Sequence, residues 1–290
     1  MYSNLNPRTM GMNHHPFQIL LDAAVVSGFR GIEVPAGAFD TDEAASEARE
    51  KMESIGMRFG LIMAPADMYK ISDEEFADRV VEFGQWAHRA RLAGCSRAYN
   101  HIWPGSDRFS YRDNFDWHAS RLSQIYHVLS QEGIQYGLEF MGAKTVRDQF
   151  RYPFIHSLMG VLSLADAVSQ EIGFVFDTIH WYTSGSREDD LYYAVRHPER
   201  VVNLHLCNPD ASRSREEQDD HIRAMPGEND LVDCVEILRL FEGAGYSGPV
   251  IVEPMEPTVG RYSRMDAADA ARDAIGCIHR LFDLAGVRER

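Results

Sequence analysis

Apolar runs of strand length alternate with helix-length amphipathic segments throughout this chain. Four of the runs carry a polar residue at or next to their C-terminal end: Glu139 in IQYGLEF, Asp177 in IGFVFD, His205 in RVVNLHL and Glu253 in GPVIVE. Short runs rich in Val, Ile, Leu, Phe and Tyr, introduced by Gly or a turn-like stretch, read as strands buried on both faces of a parallel sheet. Further strands are expected at 31–34, 57–63 and 95–100, with a weak one at 7–12. Helices are expected from Pro16, as a first helical residue, to the Ser27-Gly28 stop, and over 42–54, 73–92, 114–132, 156–169, 188–196 and 264–285. Another opens at Asp230, where Asp233 gives a capping-box-like start and Leu231, Val235 and Leu238 share a face.

This makes eight β/α units in 290 residues, or about 36 residues per unit, which predicts an α/β fold, a (β/α)₈ TIM barrel. No linker or low-complexity tract divides the chain, so residues 1–290 read as a single domain. The four polar residues are 38, 28 and 48 apart, each one unit further along. A doubly wound open sheet would leave their convergence unexplained. In a barrel they meet at the C-terminal mouth, beside two long loops, 143–153 and 208–229.

Three carboxylates and an imidazole crowded at one place repel or desolvate one another unless they are protonated, paired or bound to a cation. Strand parity places Gly137, Val175, Gly173 and Ile251 on the same inward face as these residues, which suits a filled interior. In the seventh strand it also turns Asn203 and Cys207 inward. Cys207 reads as a small interior residue, because the carboxylate-rich company favours a hard cation.

A net charge of −15 argues against a nucleic-acid partner. No 18-residue apolar stretch and no signal-peptide core point to a membrane. The four cysteines (Cys95, Cys207, Cys234 and Cys277) lie far apart without CxxC spacing, so a reducing, cytoplasmic setting is expected.

The segments GLEF (137–140), DTIH (177–180), NLHLCNP (203–209), RAMPGEND (223–230) and VIVEP (250–254) occur in an order that resembles the xylose isomerase-like barrel superfamily. The likeness is greatest to its sugar isomerases and epimerases: ketose 3-epimerases, inosose isomerases and hydroxypyruvate isomerases. It is detailed over about 135–257, whereas residues 17–100 match only in pattern. The resemblance implies a divalent ion, Mn²⁺ first and otherwise Mg²⁺, Co²⁺ or Zn²⁺, held at Glu139, Asp177, His205 and Glu253. It implies substrate contacts at His180 and Arg223, with Glu139 and Glu253 as the proton-transferring pair on opposite faces of a sugar, keto-sugar or cyclitol carbon. It also makes a homodimer or homotetramer plausible. Three carboxylates and one imidazole independently suit a hard or borderline ion that polarises a carbonyl and stabilises an ene-diolate. Asn208 departs from the pattern, since relatives often carry an acidic residue in that region.

Blander roles compete at each position. Glu139 and Glu253, taken singly, read equally well as structural ion pairs. His180 could be a loop histidine, and Arg223 belongs to a charge-rich stretch (215–223) that reads as solvated surface. His101 and Trp103 follow the fourth strand and would face the pocket, the indole stacking on a sugar or simply packing. Glu33, ending the second strand, is a candidate substrate contact. Lys144 and Arg147 could meet an anion, and His14 and His15 border the first helix.

The expected activity is a metal-dependent isomerase or epimerase acting by proton abstraction beside a carbonyl. The alternative keeps metal and base but eliminates, as an inosose-type dehydratase or a lyase cleaving 3-keto-glycosides. An apurinic endonuclease would need more histidines for a three-zinc cluster, and GLIMAPA (60–66) lacks one. A non-catalytic sugar-binding barrel has no need of two carboxylates on a hard metal.

Overall fold

The computed structural model describes residues 1–65 and 70–290, so the last residue of GLIMAPA lies outside the described residues. Eight parallel strands close into a barrel: β1 (Tyr2–Leu5), β2 (Gly31–Val34), β3 (Arg58–Met63), β4 (Arg97–Ile102), β5 (Gln135–Phe140), β6 (Gly173–Asp177), β7 (Val201–Leu206) and β8 (Pro249–Val252). Around it run α1 (Phe17–Ser27), α2 (Asp42–Ser54), α3 (Asp73–Leu92), α4 (Tyr111–Gln131), α5 (Leu158–Val168), α6 (Glu188–Arg196), α7 (Cys234–Gly243) and α8 (Ala267–Ala285). This is the expected (β/α)₈ TIM barrel. Helix starts follow local chemistry: the side chains of Ser72, Ser110 and Asp266 each accept a backbone N–H at the head of α3, α4 and α8. The main core lies between strands and helices, where Phe29, Phe140, Phe174, Phe176 and Phe241 are buried.

Several boundaries differ from the sequence expectation. The first strand is Tyr2–Leu5, not 7–12, and all four of its residues are buried. Polar Ser3 and Asn4 break up any apolar run and conceal it. β4 starts two residues later than expected and continues to Ile102, registered residue by residue on β5 from Arg97↔Gln135 to Ile102↔Phe140. His101 is therefore a strand residue rather than a loop residue. α7 begins at Cys234 instead of Asp230, because Asp233 is its cap and accepts the Glu236 N–H at 2.8 Å. Leu231 is left outside the helix and exposed. Pro16 caps α1 from outside, and α8 starts at Ala267.

Within the barrel, Leu61, Tyr99, Val175 and Val202 form a small separate core beneath the mouth. Val202 was not expected there, since parity with His205 assigns the interior to Asn203. Pairing between β6 and β7 slips from Phe174↔Val201 to Val175↔Asn203, so Val202 is the extra residue of a bulge and turns inward. Gly137 makes the room: a Cβ built there would lie 2.7 Å from the Val202 side chain. Gly137→Ala is expected to destabilise the fold by about 1–3 kcal/mol through overpacking. Urea denaturation should show Val202→Gly, which removes the Cβ as well as both methyls, relieving part of that loss, so that the double variant loses less than the two single variants together; purely additive effects would contradict the packing.

All four cysteines are free and buried. Among the described residues, no helix is long and apolar enough to cross a membrane.

Candidate metal centre

Glu139 near the end of β5, Asp177 at the end of β6, His205 on β7 and Glu253 immediately after β8 converge at the C-terminal mouth. One potential ligand atom from each lies within 4.8 Å of all the others, and all four residues are buried. The His205 Nδ1 atom faces all three carboxylates, 2.9 Å from Glu253, 3.1 Å from Glu139 and 3.8 Å from Asp177. Its other ring nitrogen, Nε2, lies 2.7 Å from the Asn203 side-chain amide, one parity step down β7.

Local sequence explains this placement. Asp177 ends β6 and caps the short helix Thr178–Thr183, accepting the Ile179 N–H at 2.7 Å through Oδ1, which leaves Oδ2 directed at the cluster. The Thr178 hydroxyl donates to the Cys207 carbonyl at 2.7 Å and accepts the Cys207 N–H at 2.9 Å, pinning the ends of β6 and β7 together. Gly142, just past β5, donates its N–H to His180 Nδ1 at 3.3 Å. A Cβ at Gly142 would fall 2.2 Å from the His180 carbonyl oxygen, so only glycine allows this approach.

Arg223 is buried and holds the cluster from one side. Its Nη1 lies 3.2 Å from Asp177 Oδ2 and 3.1 Å from Glu253 Oε2, while Nη2 reaches Asp220 at 2.8 Å. His180 completes the group, 3.7 Å from both Asp177 and Asp220. The charge-rich stretch is therefore surface only in part: Arg215, Glu216 and Glu217 are exposed, whereas Asp220 and Arg223 turn inward.

Titration follows from these contacts. Burial, the largest single influence, pushes the Glu139 and Glu253 carboxyls up, but His205 together with His101 at Glu139, and His205 together with Arg223 at Glu253, outweigh it, so both are held below the ordinary range. Burial raises Asp177, and its neighbours His180 and Arg223 offset this only partly. His205 loses from burial but is raised well above its usual value by Glu139 and Glu253. The imidazolium thus stands in the middle of the carboxylates as a local counter-charge.

The residues fit a divalent cation. Both Glu139 oxygens are buried without a hydrogen bond, although imidazole nitrogens of His205 and His101 lie 3.1 Å away. One nitrogen and three carboxylates form a mixed, mostly oxygen donor set suited to a hard or borderline ion. The amide of Asn203 fits too. Its Oδ1 is buried without a partner. Rotating the amide by half a turn sets that oxygen against His205 Nε2. The Nε2–H then donates to it, and the Nδ1 lone pair faces the carboxylates, as supporting residues do for metal-ligating histidines.

The other residues singled out from sequence divide. His101 reaches the cluster, with Nε2 3.1 Å from Glu139. Glu33 lies to one side and accepts the Tyr99 hydroxyl at 3.1 Å. Trp103 is a rim residue, 37% exposed, with its ring against Phe150. Cys207 lies 3.9 Å from Asp177, and burial keeps its thiol protonated. Lys144 pairs with Asp148 at the surface. Asn208 donates to Asn229 and Val232, an anchoring role for its long loop. Sequence reading missed Arg8, Tyr99, Asp220 and a supporting role for Asn203. Only Asp220, three residues before Arg223, and Asn203, two before His205, carried a positional signal.

A family model described as "Xylose isomerase-like TIM barrel" matches residues 21–281. The chain belongs to this family. Among solved structures, a xylose isomerase domain protein from Alicyclobacillus acidocaldarius subsp. acidocaldarius is similar at 27% identity, with a TM-score of 0.78 over 99% of both chains. The IolI protein with a binding zinc atom has the same TM-score at 16% identity, over 99% of this chain and 98% of its own. D-Psicose 3-epimerase from Clostridium cellulolyticum H10, solved with D-tagatose, gives 0.72 at 14% identity, over 98% of this chain and 99% of its own. These last two likenesses establish the barrel alone. A comparison with curated protein sequences finds no match.

Proposed function

We propose that this barrel is a divalent-metal-dependent isomerase or epimerase of a sugar, keto-sugar or cyclitol, with Mn²⁺ as the working ion. The observation that carries the reading is the buried convergence of Glu139, Asp177, His205 and Glu253, with the Glu139 carboxylate met only by imidazole nitrogens. Family membership supports it, as do fold neighbours that include a zinc-binding protein and 3-epimerases of simple sugars. Glu139, Asp177, His205 and Glu253 would hold the cation, which would supply Lewis-acid polarisation of a substrate carbonyl.

The protein's own residues do the rest. Glu139 and Glu253 stand three strands apart around the ring, and both are held anionic, so each can accept a carbon-bound proton at a carboxylate oxygen. One takes the proton and the other returns it: from the opposite face for epimerisation, or to the adjacent carbon for isomerisation. Arg223, fixed by Asp220, and His180 orient substrate oxygens. His101, partly open to the mouth beside Glu139, donates to the substrate or steers the proton.

Incubation with Mn²⁺ in deuterated water, against a panel of ketoses, inososes and 3-keto-glycosides, tests this reading. One substrate should incorporate deuterium beside its carbonyl and accumulate an isomer. Release of water or an aglycone would replace the isomerase with a lyase. Absence of exchange across the panel would contradict the proposal.

A further inference from the structure

Beside the cluster lies a cavity of about 620 Å³ whose lining includes none of the four cluster residues. It sits at the C-terminal ends of β1, β2 and β3, between the segment that follows β1 and helix α3. Its walls are mostly hydrocarbon and aromatic, among them Phe17, Leu20, Val34, Met63, Phe83 and Trp86, with Asn13, His15, Arg79 and Glu82 also on the lining.

One polar part of the lining faces the cluster side. Asn6, Arg8 and Glu33 form it, and all three meet at the hydroxyl of Tyr99. Asn6 and Arg8 each donate to that oxygen at 3.3 Å, and it donates to Glu33 at 3.1 Å. The Tyr99 ring stands edge-on to His205, with centroids 5.6 Å apart, and Arg8 interacts electrostatically with both Glu33 and Glu253. The polar part of the lining is therefore one side chain away from the candidate metal ligands, and the rest of the lining is largely apolar.

A bare sugar does not match that shape. Its hydroxyls suit the donor–acceptor pair of Arg8 and Glu33, but against Phe17, Phe83 and Trp86 they would lose hydrogen bonds to water without replacement. The volume falls among pockets of roughly 300–1,000 Å³ that enclose drug-sized ligands. A ligand that is polar at one end and apolar at the other satisfies both ends.

We propose that the cavity is a second subsite, which takes an apolar, ring-sized substituent carried by the substrate's sugar: an aryl aglycone, with the sugar hydroxyls over Arg8 and Glu33. The identity of the sugar end rests on the function proposed above, whereas the apolar subsite rests on its own walls. The substrate is then an aryl glycoside or its keto form rather than a free monosaccharide.

Matched phenyl and methyl glycosides of D-glucose, D-galactose and D-xylose, titrated calorimetrically into the full-length protein with Mn²⁺, provide the test. Burying a phenyl ring should make at least one phenyl glycoside bind on the order of ten-fold or more tighter than its methyl partner. Ala36 is an exposed residue on the cavity wall. Ala36→Trp, with folding checked by circular dichroism, should fill the space and erase the preference, and Phe17→Ala should weaken it. The proposal is overturned if no phenyl glycoside outbinds its methyl partner, or if the preference survives Ala36→Trp. Proton exchange without an aryl preference would remove this subsite and leave the isomerase reading intact. An aryl preference without exchange would do the reverse.

Discussion

Glu139→Gln and Glu253→Gln, made separately, are each expected to lower the rate of substrate C–H exchange by about 10²–10⁴-fold, the usual contribution of a positioned acid or base. Glutamine keeps the shape of the side chain and one oxygen that can face a cation, but it cannot accept a proton. Mn²⁺ should therefore still bind each variant, more weakly than wild type, while turnover at saturating metal is lost. The two should not behave identically. Glu253 is held by both His205 and Arg223, whereas Glu139 has only the imidazoles of His205 and His101 beside it. Glu253→Gln should thus lower the melting temperature more than Glu139→Gln. Wild-type exchange in both variants would remove the proton-transfer roles assigned here.

Arg223→Met should have the largest effect on stability. The guanidinium is buried and touches Asp177, Glu253 and Asp220, and its removal leaves those charges uncompensated. Breaking a buried ion pair from one side costs about 3–5 kcal/mol. In a chain of this size that lowers the melting temperature on the order of 10 °C. Calorimetry of the metal-free variant checks this. Adding Mn²⁺ should recover part of the loss, because a cation at the cluster again neutralises Asp177 and Glu253. An unchanged melting temperature would mean that the arginine is not holding the cluster.

The barrel and the four cluster residues were legible in the sequence because each depended on a local signal. β5 through β8 are short, apolar and introduced by Gly or Pro, and each carries its polar residue at or beside its C-terminal end. β1 offered no such signal, since Ser3 and Asn4 are buried polar residues and the partners of Ser3 lie far off in sequence: its hydroxyl accepts the Arg30 N–H and its own N–H donates to Glu289. The bulge at Val202 is set by pairing between β6 and β7, which no single run reports. The residues around the cluster were hidden for a similar reason. Arg8 and Tyr99 meet across 91 positions. Asp220 lies in a hydrophilic stretch whose burial is decided by the Arg223 contacts to β6 and β8. Trp103 shows the opposite limit, since an aromatic after a barrel strand can as easily lean outward on Phe150 as inward on a ligand.

The central claim is that Glu139, Asp177, His205 and Glu253 together hold one divalent cation. Titration of the purified chain with Mn²⁺, followed by electron paramagnetic resonance and thermal shift, tests it most directly. One ion per chain is expected, with stabilisation of about 2.7 kcal/mol when free Mn²⁺ reaches a hundred times its Kd. Asp177→Ala and His205→Ala, folded by circular dichroism, should lose the tight site. A wild-type chain that binds none of Mn²⁺, Co²⁺, Mg²⁺ or Zn²⁺, or binding undiminished in both variants, would contradict it.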